Sequence, residues 1–190
     1  MKTIGVLALQ GSFREHLRAL DRMSGVRGVP VKSRSGLEKI DGLILPGGES
    51  TAQGRLLRDF DLLEPLGARI RRGLPVWGTC AGMILLAKRI AGGEPTHLAV
   101  MDISVRRNAY GGQLDSFTDS AVIPAVSQKP IPLVFIRAPW AEKTGDGVQR
   151  LAALNGKIIA VREGKMLATS FHPELTDDLS FHRYFAGLME

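Results

Sequence analysis

Hydrophobic and polar positions divide this chain into two halves with different patterns. In the first half, short continuous apolar runs alternate with segments whose apolar residues recur at helical spacing. Residues 3–9 form one such run, ended by Gln10-Gly11. Ser12, with Glu15 three residues later, has the form of a capping box, and Phe13, Leu17, Leu20 and Met23 then share one helical face. A short strand is expected at 29–31. A continuous apolar strand follows at 42–45, stopped by Pro46-Gly47-Gly48. Ser50 or Thr51 is placed to cap a helix carrying Leu56, Leu57 and Phe60, and a further helix carries Leu63, Leu66 and Ile70. Residues 75–77 enter a fourth strand, and 83–90 read as helix. Strands that are apolar throughout and separated by helices indicate a parallel sheet covered on both faces.

The second half is mostly strand-like, with runs at 100–105, 116–123, 133–136, 148–154, 157–161 and 166–171. Asn155-Gly156, between two of these runs, signals a type I′ hairpin. A helix over 175–188, with Thr176 as its candidate cap, closes the chain. No repeat, low-complexity tract or linker interrupts the pattern. The expectation is one α/β domain over residues 1–190, built on a mixed sheet.

Composition narrows the class. Of 190 residues, 44% are hydrophobic and 23% charged, as in ordinary globular domains. A chain of this length buries roughly 70% of its unfolded surface, enough for a core without staples. No apolar run approaches the ~20 residues that span a bilayer. The N-terminal run ends at Gln10, with Arg14 and Glu15 following, too soon for a signal peptide. The expectation is therefore a cytoplasmic protein with no membrane partner. The net charge of +6 permits nucleic-acid binding, but the basic residues are scattered. The tightest groups are Arg69, Arg71, Arg72 and the pair Arg106, Arg107, and only 6% of residues are aromatic, a poor supply of stacking platforms. No nucleic-acid partner is expected. The single cysteine, Cys80, excludes an intrachain disulfide and a Cys-only zinc site. His16, His97 and His182 read as surface residues, and no histidine spacing suggests a metal, so neither metal nor cofactor is expected.

Three short segments carry chemistry. Gly78-Thr79-Cys80-Ala81-Gly82 has the spacing of a nucleophile elbow, in which a sharp strand-to-helix turn holds the nucleophile exposed and strained. The competing reading is a buried structural cysteine on a glycine-rich turn. In Ser170-Phe171-His172-Pro173-Glu174, a base and its orienting carboxylate stand two residues apart, on one side of an extended segment. Alone, that segment reads better as a solvated loop histidine followed by a helix-capping glutamate. Pro46-Gly47-Gly48-Glu49 is a turn whose glycines can aim backbone N–H groups at a developing oxyanion. The N–H of Ala81, next to the nucleophile, is the natural second donor. A phosphate loop is excluded, because Gly48 to Gly54 is the wrong interval and Arg55 follows.

Pro-Gly-Gly, Gly-x-Cys-x-Gly and His-Pro-Glu, in this order, resemble the class I, triad-type glutamine amidotransferases. The similarity is greatest to those that serve pyridoxal 5'-phosphate synthases. It is carried by 5–11, 45–51, 78–82, Arg107-Asn108, Asp115-Ser116-Phe117, 135–139 and 170–176. The resemblance implies a flavodoxin-like three-layer sandwich with a mixed, mainly parallel sheet. It implies that Cys80 attacks the side-chain amide of L-glutamine, that His172 shuttles the proton and that Glu174 orients it. Gly48 and Ala81 would form the oxyanion hole. Gly47, Gly48, Glu49, Arg107, Ile136 and Arg137 would hold the substrate. Gln10 would lie near the junction with a separate synthase subunit, which accepts the ammonia and activates the glutaminase on docking. Two positions depart from the family pattern: Arg106 stands where a glutamate is usual, and Gly112 replaces an arginine within 109–113. The other readings are a glutaminase serving histidine or purine synthesis, and a non-catalytic α/β module with a structural or redox-sensing cysteine.

Overall fold

The apolar runs at 3–9, 42–45 and 75–77 become largely buried strands in the computed structural model, which describes residues 1–107 and 116–190, while the run at 29–31 falls in a half-buried edge strand. In chain order the elements are β1 (Lys2–Leu7), α1 (Phe13–Asp21), β2 (Val26–Val31), α2 (Arg34–Leu37), β3 (Gly42–Leu45), α3 (Ser50–Asp59), α4 (Leu63–Arg71) and β4 (Val76–Thr79). They continue with α5 (Ala81–Leu86), β5 (Ala87–Ile90), β6 (Met101–Arg106), β7 (Ser116–Ile123), β8 (Ser127–Ile136) and β9 (Trp140–Thr144). The chain closes with β10 (Gln149–Leu154), β11 (Lys157–Glu163), β12 (Met166–Thr169), a 3-10 turn (Pro173–Leu175) and α6 (Ser180–Gly187).

The main sheet has the order β2-β1-β3-β4-β12-β11-β9-β6-β5, with β10 paired to β11. From β2 to β12 every neighbour is parallel. Beyond β12 the pairs through β11, β9 and β6 are antiparallel. Period-2 alternation sorts the side chains onto two faces. Leu7, Leu43, Leu45 and Val76 join Leu57, Leu66, Ile70 and Leu85 from α3, α4 and α5 in one core. Ile4, Val6, Ile44 and Trp77 point the other way, toward Leu20 of α1 and Phe181 and Phe185 of α6. Helices cover both faces, which gives the three layers expected.

β7 and β8 form a separate two-stranded hairpin that lies over the second core through Ile123, Ile131, Leu133 and Phe135. Phe135 stacks on Phe117 at 4.6 Å and meets the edge of Phe171 at 5.9 Å between ring centroids. These contacts bring the end of β8 to the loop that follows β12. Asn155 and Gly156 both have positive φ, 50° and 76°, as the type I′ turn requires.

Several local expectations are corrected. The helix expected over 83–90 ends at Leu86; the chain then turns into β5 and pairs with β6, so edge pairing overrides helical periodicity. β9 escapes the pattern because Glu142 and Lys143 interrupt it and only Ala141 is fully buried. The closing helix is split: Thr176 donates its hydroxyl to Pro173 O at 3.0 Å, and α6 begins only at Ser180. Glu49, rather than Ser50 or Thr51, caps α3, its carboxylate accepting from the N–H groups of Thr51 (3.1 Å) and Ala52 (2.7 Å). Ser12 makes no capping bond, because its hydroxyl is committed elsewhere. Among the described residues no helix is long and apolar enough to cross a membrane. Asn108, the 109–113 segment with Gly112, and Asp115 lie outside the described residues.

Candidate active site

Four adjacent parallel strands, β1, β3, β4 and β12, end on the same side, and the residues singled out from the sequence sit just beyond their carboxyl ends. Open α/β sheets place their ligand crevices at this edge. Here it opens into a cavity of ≈ 300 Å3, reached by Gln10 after β1, Gly48 and Glu49 after β3, Cys80 and Ala81 after β4, and His172 after β12. Ile136 and Arg137, at the end of β8, and Arg107, just after β6, also line it.

Cys80 occupies the strained corner between β4 and α5. Its φ of 48° and ψ of −104° are unusual for a residue with a side chain. The corner is possible because the strand and helix cross without side chains: a Cβ on Gly78 would lie 2.4 Å from the carbonyl of Gly82. The Cys80 N–H is anchored to Thr169 O of β12 at 2.8 Å, and its Sγ lies 3.8 Å from the carbonyl oxygen of Ile136.

His172 is fixed from three sides. Its backbone N–H donates to Val134 O of β8 at 2.8 Å. Its Nδ1 is 2.7 Å from Glu174 Oε1. Its ring rests on Gly47, where a Cβ would lie 2.3 Å from Cε1, so no larger residue fits beneath it. Glu174 is buried, and its Oε1 also accepts from the Ser12 hydroxyl at 2.6 Å. This explains the missing cap at α1.

Electrostatics set the charge states. Burial pulls the His172 imidazole down, but its hydrogen bonds and attraction to Cys80 and Glu174 prevail and raise its pKa to about 10. Burial pushes the Glu174 carboxyl up; the facing His16, the His172 ring and the Ser12 hydroxyl reverse this and bring it to about 2. A carboxylate therefore holds an imidazole that keeps its proton at neutral pH, next to the Cys80 sulfur.

The loop after β3 is held as firmly. Gln10 Oε1 accepts from the Glu49 N–H at 3.0 Å, and Gln53 Nε2 donates to the carbonyls of Gln10 (3.1 Å) and Pro46 (3.0 Å). Glu49 also pairs with Arg107 at 3.1 Å, whose other nitrogen reaches Glu94 at 2.6 Å. Burial works against ionising Glu49, yet the α3 amides and Arg107 hold its pKa below the usual carboxylate range. Arg137 has a φ of 43°, a second strained residue at the cavity. Arg106, one of the two departures from the family pattern, points away and pairs with Glu142.

The sequence reading missed Ser50, whose buried hydroxyl lacks a hydrogen-bond partner beside the cavity, and misplaced three histidines. His16 and His182 are fully buried rather than on the surface, and His97 is half-buried with its ring against Gly54. A signal for His16 was available: it stands three residues after Phe13 and four before Leu20, on the apolar face of α1. Among the described residues no cluster of three or more His, Cys, Asp or Glu side chains could hold a metal ion.

The fold is that of the class I glutamine amidotransferases. The chain belongs to the SNO glutamine amidotransferase family, whose model matches residues 6–190. It is 56% identical over 189 residues to a protein of Ruminiclostridium cellulolyticum named pyridoxal 5'-phosphate synthase subunit PdxT, with both chains covered in full. A relative of the same name from Thermoanaerobacter sp. (strain X514) is 55% identical, covering 97% of this chain and 98% of its own. A crystal structure described as a glutamine amidotransferase superposes with a TM-score of 0.92 at 45% identity, covering 98% of each chain. PurLQS of Thermotoga maritima, at 16% identity and a TM-score of 0.67, shares the fold.

Proposed function

We propose that this chain hydrolyses L-glutamine to glutamate and ammonia, and supplies the ammonia to a separate pyridoxal 5'-phosphate synthase subunit for vitamin B6 synthesis. The supporting observation is the hydrogen-bonded His172–Glu174 pair opening onto the same cavity as Cys80. The two relatives above carry the synthase-subunit name along their whole length.

Cys80 Sγ, its proton carried by His172, attacks the side-chain carbonyl carbon of glutamine. The carbonyl oxygen becomes an oxyanion that the N–H groups of Gly48 and Ala81 stabilise. His172 gives its proton to the departing nitrogen and ammonia leaves, with a γ-glutamyl thioester on Cys80. Water, deprotonated by His172, then attacks the thioester; the C–S bond breaks, glutamate leaves, and Cys80 and the protonated His172 are restored. One difficult step becomes two easier ones. Glu174 holds the imidazole in one orientation and stabilises its charged form. Gly47 supports the ring; Gly48, Glu49, Arg107, Ile136 and Arg137 surround the substrate; Gln10 braces the loop after β3 at the face turned to the synthase. The whole chain, 1–190, acts as one glutaminase domain in the cytoplasm. Ammonia is mostly protonated at neutral pH and then a poor nucleophile, so delivery to a docked partner avoids its loss to solvent.

The test is release of ammonia and glutamate from glutamine, with and without the synthase subunit. The expected outcome is low release from the lone chain, a rise on docking and loss of both with C80A. Unchanged release by C80A in the complex would remove the enzyme reading.

A further inference from the structure

Behind the triad lies a buried polar chain that the mechanism above does not use. His16 of α1 places Nε2 3.4 Å from Glu174 Oε2 and 3.2 Å from the Thr79 hydroxyl oxygen, and Nδ1 3.0 Å from His182 Nε2 of α6. Trp77 closes over both imidazoles, with ring centroids 5.6 and 5.0 Å away. The position of Glu174 makes this arrangement consequential. Its Oε1 has two donors, His172 and Ser12, whereas its buried Oε2 has no hydrogen bond.

We propose that His16 is a positioning residue for Glu174, held by His182 in the tautomer whose Nε2–H faces the carboxylate. The inference rests on the glutaminase reading for its kinetic consequence and on geometry for the tautomer. One proton lies between the two imidazoles, which leaves two arrangements of neutral rings. If His16 Nδ1 donates to His182, His16 turns a lone pair toward a carboxylate oxygen. His182 must then carry its proton on Nδ1, which is buried without a partner. An orphaned buried N–H is costly and rare. If instead His182 Nε2 donates to His16 Nδ1, the Nε2–H of His16 faces Glu174 Oε2 and the Thr79 oxygen, and only a lone pair of His182 is unmatched. The second arrangement leaves neither imidazole with an orphaned N–H. Glu174 is then hydrogen-bonded at Oε1 by Ser12 and His172 and faced at Oε2 by the His16 N–H at 3.4 Å. The carboxylate cannot rotate to release the catalytic imidazole.

Both parts of the inference can be tested. Imidazole 15N–1H correlation spectra of the labelled wild-type chain should show protonated Nε2 and bare Nδ1 for both His16 and His182. A protonated Nδ1 on His16 would overturn the assignment, whether or not any variant folds. Glutamine hydrolysis in the complex with the synthase then separates positioning from packing. H16L should lower kcat by on the order of tenfold to a hundredfold, the scale of a displaced catalytic group, with KM unmoved. H16Q, whose amide nitrogen can occupy the place of Nε2, should recover most of it. Wild-type turnover in H16L, or equal losses in H16L and H16Q, would sink the role. An inactive wild-type complex would instead remove the glutaminase reading and leave the tautomer result standing.

Discussion

Histidines carry most of the chemistry at the residue scale, and burial rather than identity decides what each does. His172 keeps its proton because its hydrogen bonds and attraction to Cys80 and Glu174 together outweigh its desolvation. His182 has no such partner: burial first, then the neighbouring His16, depress its pKa to about 3 against a weaker opposing pull from Glu174. Such a group stabilises the fold above its unfolded pKa near 6.5, and that stability is lost as the pH falls toward 3, because the unfolded chain binds the extra proton first. Glu174, with its pKa lowered to about 2, acts in the same direction from 4.5 downward. Unfolding free energy should therefore fall on acidification, with His182 contributing up to about 1 kcal/mol per pH unit in its window. Urea unfolding at a series of pH values, in wild type and H182F, checks this: the variant should show a shallower slope below pH 6.5, with a residual acid limb from Glu174. An equally steep slope in H182F would show that His182 is not the group being titrated.

At the element scale, strand ends and helix starts are joined by side chains taken from other elements. The cap of α3 is also the ion-pair partner of Arg107, so one carboxylate orders a helix start and a cavity wall. Removing it in E49A should cost about 1 kcal/mol of stability, the usual value of a lost cap. E49Q, which keeps an acceptor for the α3 amides, should cost less, as measured by denaturant midpoint. A similar logic explains why Ser12 leaves its own helix uncapped: the hydroxyl satisfies a buried carboxylate, and a charged buried group has the stronger demand.

For the molecule as a whole, the β7–β8 hairpin couples the second half of the chain to the site formed by the first. Phe135 is fully buried beneath it, and the carbonyl of its neighbour Val134 holds the His172 backbone. Truncation in F135A should destabilise the fold by roughly 3–5 kcal/mol. The same cavity should also loosen the hairpin anchor of His172. Glutamine hydrolysis in the complex should then fall at temperatures where circular dichroism still reports a folded chain. Full activity there would show that the hairpin does not position the histidine.

Some features are determined by nearest neighbours in the chain and were legible without coordinates. Apolar runs buried on both faces specify a parallel sheet. The Gly-flanked elbow specifies a strained Cys80. Asn155-Gly156 specifies its turn; His172 and Glu174 do meet across two residues, but through the 3-10 turn at Pro173–Leu175 and not through the extended segment expected. Other features depend on what arrives from distant parts of the chain, which no local pattern records. Residues 87–90 are strand only because β6 lies beside them. Ser12 serves Glu174, 162 residues away, instead of its own helix. His16 and His182 become buried partners only when α1 and α6 pack on the same face of the sheet. Local spacing decided which groups meet at the cavity, and tertiary packing decided their protonation and what holds them still, because desolvation and hydrogen-bond partners exist only in the folded chain.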